Sequence, residues 1–112
     1  METHAKVVVI GGGVVGCSIL FHLAKFGLKD CILLERNELT SGSSWHAAGS
    51  VHAISSDPNI SKLMAYTIKL YKEIEETSGH SVGFKPSGGF YLASNEVWHD
   101  YLKRERSKAR YM

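Results

Sequence analysis

The sequence predicts an α/β fold, and three observations predict it. A β-branched apolar run, Val7-Val8-Val9-Ile10, ends in three glycines. A stretch with helical spacing follows, from Val14 to Phe26. A second apolar run, Cys31 to Leu34, closes on Glu35. Strand, helix and strand within about thirty residues make one βαβ unit, whose crossover is expected to be right-handed.

Each element has its own signal. Lys6 to Ile10 reads as a buried strand, because its apolar run is continuous rather than alternating. Gly11, Gly12 and Gly13 break it. In the helix, Val15, Ile19, Leu23 and Phe26 recur at helical spacing and predict a buried stripe. Gly27 suits the position just past a helix end, where a left-handed backbone costs glycine little. Asn37 to Ser56 is rich in Ser, Gly, Ala and His and reads as loop with at most one short helix. Asp57-Pro58 reads as a helix start, with Asp capping and Pro in the first position. The helix is predicted over 60–77, with Leu63, Ile68, Tyr71 and Ile74 near one face and Gly79 to stop it. Residues 82–94 read as two short extended pieces, of which Phe90 to Ala93 is the better strand. Residues 97–112 read as a helix with no stop signal, which suggests a piece of a longer chain.

The glycines carry the chemistry. Gly11, Gly13 and Gly16 satisfy G-x-G-x-x-G between a strand and a helix, and Glu35 ends the next strand. That context identifies a Rossmann-like dinucleotide-binding unit. Gly11 permits the tight turn, Gly13 lets backbone approach a pyrophosphate, and Gly16 lets helix and sheet pack closely. The helix N-terminus offers amides near Val14 and Val15 to the phosphates. Glu35 stands nineteen residues after Gly16, where a carboxylate can accept from ribose hydroxyls. It would repel a 2′-phosphate, which argues against NADP, although the adjacent Arg36 can serve one. The βαβ unit by itself leaves FAD and NAD about equal.

The next segment separates them. Thr40-Ser41-Gly42-Ser43-Ser44-Trp45-His46-Ala47-Ala48-Gly49-Ser50 crowds small and hydroxyl residues that allow a ligand close and supply donors. From composition alone, His46 is more simply a solvated loop histidine. The combination VVVIGGGVVG, LLER and SGSSWHAAG resembles the N-terminus of the dimethylglycine and sarcosine dehydrogenases, within the wider D-amino-acid-oxidase-like flavoproteins. The resemblance continues through IKLYKEIEETSGHSVGF and GGFYLA and so covers nearly the whole chain. The glycine motif is shared by many flavoproteins, and the WHAAG segment is much more specific. Ser50 stands where an apolar residue is expected.

The resemblance implies an FAD-binding domain and a role for each matched position. His46 would carry the flavin covalently, through a ring nitrogen to the 8α carbon. Neutral imidazole is a good nucleophile near neutral pH. Gly42 to Ser50 would line the flavin and pyrophosphate, Val14 and Val15 would meet the phosphates, and Glu35 and Arg36 would lie near the adenosine. Residues 1–80 would be the N-terminal part of the FAD-binding domain, and 81–112 the start of a substrate domain with an antiparallel sheet. The implied reaction takes a hydride equivalent from an N-methyl carbon of an amino acid to flavin N5. The iminium is hydrolysed, or its one-carbon unit passes to tetrahydrofolate in a C-terminal domain. Electrons would leave through an electron-transfer flavoprotein. No catalytic residue is assignable within these 112 residues.

Three other readings compete. One is a glycine or D-amino-acid oxidase that holds FAD without a covalent bond, and the WHAAG segment argues against it. Another is a non-catalytic regulatory homologue, against which His46 counts. The last is a plain NAD-binding module.

Composition bounds the rest. With 44% hydrophobic and 21% charged residues, the chain is ordinary for a globular protein. No apolar run approaches the roughly 20 residues of a membrane span, and no secretory signal is visible. A cytoplasmic location is expected, or the mitochondrial matrix if a presequence has been removed. Cys17 and Cys31 read as small buried thiols in a reducing compartment, a disulfide between them being the minor alternative. The histidines lack zinc-site spacing, so no metal is expected. His52, close to the flavin segment, is a further candidate for cofactor contact. Trp45 is expected to pack rather than stack on a ligand. Lys103, Arg104, Arg106, Lys108 and Arg110 form the most basic patch, but Glu105 interrupts it and the net charge is only +2. A solvated helix face is expected, not a nucleic-acid site.

Overall fold

The computed structural model describes residues 4–110, and these divide into two units at Ser50 and Val51. In the first unit, β1 (Val7–Ile10), α1 (Val14–Lys25) and β2 (Cys31–Leu34) form the expected βαβ. The two strands pair in parallel, Val7 opposite Cys31 and Ile10 opposite Leu34. A parallel pair requires a crossover, and α1 supplies it. It packs on both strands. Gly27 takes φ 88° beyond the end of α1, where its N–H donates to the Ala24 carbonyl at 2.9 Å.

Burial departs from the expectation in two places. β1 is not covered on both faces: Val9 is buried, whereas Val8 and Ile10 are exposed. The stripe on α1 is also rotated. Val15 is 68% and Phe26 81% exposed. Gly16 is buried and Cys17 and Leu20 are half-buried, while Leu23, alone of the expected stripe, is also half-buried. Both rows have helical spacing, so periodicity could not choose between them. Close contact of Gly16 with the strand turn made the choice. Cys17 and Cys31 are free thiols, half-buried rather than fully buried.

The second unit contains α2 (Pro58–Ser78) and α3 (Glu96–Ala109). Asp57 caps α2: its Oδ1 accepts the amides of Asn59 at 2.7 Å and Ile60 at 3.1 Å. Pro58 occupies the first turn and Gly79, at φ 68°, ends the helix. Leu70 and Ser61 are its buried residues, and the Ser61 hydroxyl accepts the Ser55 amide at 2.8 Å. Leu63, expected on the buried face, is exposed. Asn95 caps α3 by accepting the Trp98 amide at 3.0 Å.

Phe90 to Ala93, expected as a strand, is irregular, and Phe90 is 97% exposed. The sheet of the described residues is two-stranded and parallel, so the expected antiparallel sheet is not formed by them. A strand needs a partner for its backbone bonds, and no described segment pairs with 90–93. Residues 111 and 112, expected to be helical, lie outside the described residues. The basic face of α3 is solvated and partly paired, Lys103 with Asp100 at 3.1 Å and Lys108 with Glu105 at 2.6 Å. Among the described residues, no helix is long and apolar enough to cross a membrane. No cluster of three or more His, Cys, Asp or Glu among them could hold a metal ion.

Candidate functional site

Backbone conformation makes the site before any side chain does. Gly11 leaves β1 at φ 103°, in the region that favours glycine. Its N–H still donates to the Leu34 carbonyl at 2.8 Å, so the turn begins inside the ladder. Gly16 presses against that turn: a Cβ there would overlap the carbonyl oxygen of Gly11. Gly13 is the N-cap of α1 and offers the helix no side-chain acceptor. Val14 and Val15 open the helix with exposed side chains, and their amides have no intrahelical acceptor by position. Among the described residues, nothing outside its chain neighbours lies within 4 Å of where a Gly11 Cβ would stand, and only Ser44 Oγ comes that near to Gly13. This open cradle at the positive end of a helix dipole fits a pyrophosphate.

Glu35 is tied to the same loop. Its Oε2 accepts the Gly12 amide at 2.6 Å, and its Oε1 accepts the Asn37 amide at 2.9 Å. The Asn37 amide, then the Gly12 amide, hold the carboxyl below the usual carboxylate range, with the Arg36 charge adding to them. Each oxygen keeps a second lone pair for a sugar hydroxyl. A Cβ on Gly12 would meet Leu39 Cδ2 at 2.5 Å and Glu35 Cβ at 3.1 Å, so a side chain there would push the exposed Leu39 aside and crowd Glu35.

Residues 39–46 form consecutive tight turns rather than a helix. They dock on the glycine loop at two points. Thr40 N–H donates to the Gly12 carbonyl at 2.8 Å, and Val14 N–H donates to Ser44 Oγ at 2.8 Å. His46 is exposed, and its Nδ1 lies 3.0 Å from the Gly42 carbonyl. A carbonyl only accepts, so a hydrogen bond here uses the tautomer with the proton on Nδ1, which leaves Nε2 outside that bond. His46 N–H donates to Ser43 O at 3.2 Å and Ala47 N–H to Ser44 O at 3.3 Å. Ala48, Gly49 and Ser50 follow as exposed irregular chain, with Gly49 at φ 71°. Trp45, expected to pack, is 78% exposed. His52 falls in the second unit.

Gly11, Gly13, Val14, Gly16, Glu35, Ser44 and His46 therefore belong to one continuous assembly within the first unit. An open groove of about 750 Å³ runs beside it, lined by Leu20, Phe21, Leu33, Glu35 and Leu39 among others.

Comparison with known proteins gives this assembly a context. The family described as DAO, FAD dependent oxidoreductase, matches residues 6–111. The chain belongs to the FAD-dependent oxidoreductase family. It is 45% identical to human dimethylglycine dehydrogenase over 107 residues, which is 96% of the chain and 12% of that protein. It is 44% identical to human sarcosine dehydrogenase over 105 residues, 93% of the chain and 11% of that protein. The chain thus spans about an eighth of the length of these relatives. Among solved structures, glycine oxidase from Bacillus cereus superposes with a TM-score of 0.72 at 25% identity. That match covers 95% of the chain and 30% of the oxidase. It supports an α/β FAD-binding fold, in keeping with the dinucleotide-binding unit that the glycine motif predicted and the FAD that the family resemblance implied.

Three contributors were not legible beforehand. Thr40 takes φ 65°, alone among the described non-glycine residues in that region, and no local signal foretells it. The Asn37 amide on Glu35 is a short-range bond, and Asn after a strand end was its only hint. The bond from Val14 to Ser44 spans thirty residues and needed the fold to appear.

Proposed function

We propose that this chain forms the adenosine- and pyrophosphate-binding part of an FAD-dependent dehydrogenase that oxidises an N-methyl amino acid. The carrying observation is that the His46 turn is docked on the glycine loop, with Ser44 on Val14 and Thr40 on Gly12. The α1 N-terminus and Gly13 would hold the pyrophosphate. Glu35 would accept from the adenosine ribose, with Arg36 beside it. Gly42 to Ser50 would line the cofactor, and His46 would carry it through Nε2. When bound, the flavin accepts a hydride equivalent from the substrate's N-methyl carbon.

The substrate class is taken from the human relatives, named for dehydrogenation of dimethylglycine and sarcosine. Those names also place both relatives in mitochondria, the location proposed here if the source is a eukaryote; otherwise it is the cytoplasm. Residues 81–112 would begin the substrate domain. Its antiparallel sheet would pair 90–93 with strands from elsewhere in the protein. Tetrahydrofolate in a C-terminal domain and an electron-transfer flavoprotein as acceptor belong to the same reading.

The test uses the protein at its full natural length. It is denatured in acid and run on a gel beside His46→Ala. Flavin fluorescence on the wild-type band, absent from the variant, is the expected result. A yellow native protein that releases all its flavin would redirect the reading to a non-covalent oxidase.

A further inference from the structure

We propose that Ser44 is a positioning residue whose hydroxyl seats the turn carrying His46 on the N-terminus of α1. The proposal rests on the reading of His46 as the flavin tether. Ser44 Oγ accepts the Val14 amide at 2.8 Å across a sequence separation of thirty. By its place in the first turn, that amide has no acceptor within α1. Gly13, the N-cap, has no side chain to supply one. The structure therefore fills the capping role from the next loop, and this ties the loop to the helix.

The second docking point shows that the placement is held against strain. Thr40 N–H reaches Gly12 O at 2.8 Å while Thr40 sits at φ 65°. A β-branched residue rarely adopts that conformation, and it persists only where its surroundings over-determine it. From there the bonds run inward. Trp45 N–H donates to Thr40 O at 3.1 Å, His46 N–H to Ser43 O at 3.2 Å, and His46 Nδ1–H to Gly42 O at 3.0 Å. All these bonds that orient His46 lie inside a turn anchored at Gly12 and Val14. Removing the Ser44 hydroxyl frees one anchor and leaves the imidazole's own bonds intact.

Tethering exchanges one C–H bond of the flavin 8α methyl and the imidazole N–H for one C–N bond. The two hydrogens and two electrons pass to dioxygen, giving hydrogen peroxide. Ser44 takes no part in that exchange and sets only where Nε2 stands.

The experiment supplies FAD in air to flavin-depleted protein of full natural length. It follows fluorescence on the acid-denatured band with time and measures total bound flavin separately. Per flavin bound, Ser44→Ala is expected to tether about five- to tenfold more slowly, the effect of one neutral hydrogen bond, and Ser44→Thr to match wild type. Amide hydrogen exchange of residues 40–46 in the flavin-free protein needs no tether. It is expected to be about five- to tenfold faster in Ser44→Ala alone. Unchanged tethering and exchange in Ser44→Ala overturn the proposal, as do equal losses in Ser44→Ala and Ser44→Thr. A wild type that binds FAD without tethering it overturns the His46 reading, and the exchange comparison then decides the role of Ser44.

Discussion

The N-termini of α1 and α2 solve one problem in opposite ways. Every α-helix begins with amides that lack intrahelical acceptors. In α2 they are closed locally: Asp57 takes the Asn59 and Ile60 amides, and Pro58 removes one donor. In α1 the cap is Gly13, with no side-chain bond and no acidic residue in the first turn. Of its first-turn amides, that of Val14 is taken by Ser44 from the next loop. A capped terminus serves stability, whereas an uncapped glycine terminus keeps its donors for a ligand. The difference accords with the proposal that α1, not α2, is the binding end.

The sharpest way to break this contrast is to close α1 as α2 is closed. Gly13→Asp would place a carboxylate where the pyrophosphate is expected and meet Ser44 Oγ, 3.2 Å from the new Cβ. FAD affinity is expected to fall by about 100-fold or more, since like charges in contact cost several kcal/mol. Titration of the flavin-free protein with FAD reads this directly. An unchanged affinity would mean that the phosphates bind elsewhere.

A smaller effect is expected at Glu35, which sharpens the comparison by acting on the loop rather than the helix. Glu35→Gln keeps one acceptor oxygen, but its amide nitrogen cannot accept the other backbone N–H. About a tenfold loss of FAD affinity is expected, the scale of one charge-assisted hydrogen bond. The carboxyl is held low by the Asn37 and Gly12 amides. Its folded value lies below the unfolded one, so its contribution is complete above the ordinary glutamate range. It is lost as pH falls through the lower folded value. Wild-type FAD affinity should fall over that acidic window, and the variant should not share this part of the decline.

The smallest effect belongs to α2. Asp57→Ala removes two bonds to the helix start and should cost about 1 kcal/mol of stability, read by denaturant melting. FAD affinity should stay unchanged, because this terminus serves only the helix.

Much of this arrangement was legible in the residues. The βαβ unit follows from two apolar runs and the glycines between them, and the boundaries of β2 match the structure residue for residue. Asp57-Pro58 and Gly79 bracket α2 as capping chemistry requires. The buried faces were less legible. α1 is apolar nearly all round, so Val15, Ile19 and Phe26 had the right spacing and still ended exposed. Phe90 to Ala93 has strand composition, but a strand is a property of a pair, and its partner is not among the described segments.

Local chemistry in the sequence by itself determined where the chain turns, where helices start and stop, and which glycines a dinucleotide needs. Those outcomes depend on φ preferences and on donors a few residues apart. Only the tertiary structure decided that Glu35 would grip Gly12 and that Ser44 would cap a helix thirty residues earlier. Such contacts join residues distant in the chain, and their geometry exists only once β1, α1 and β2 have closed on one another.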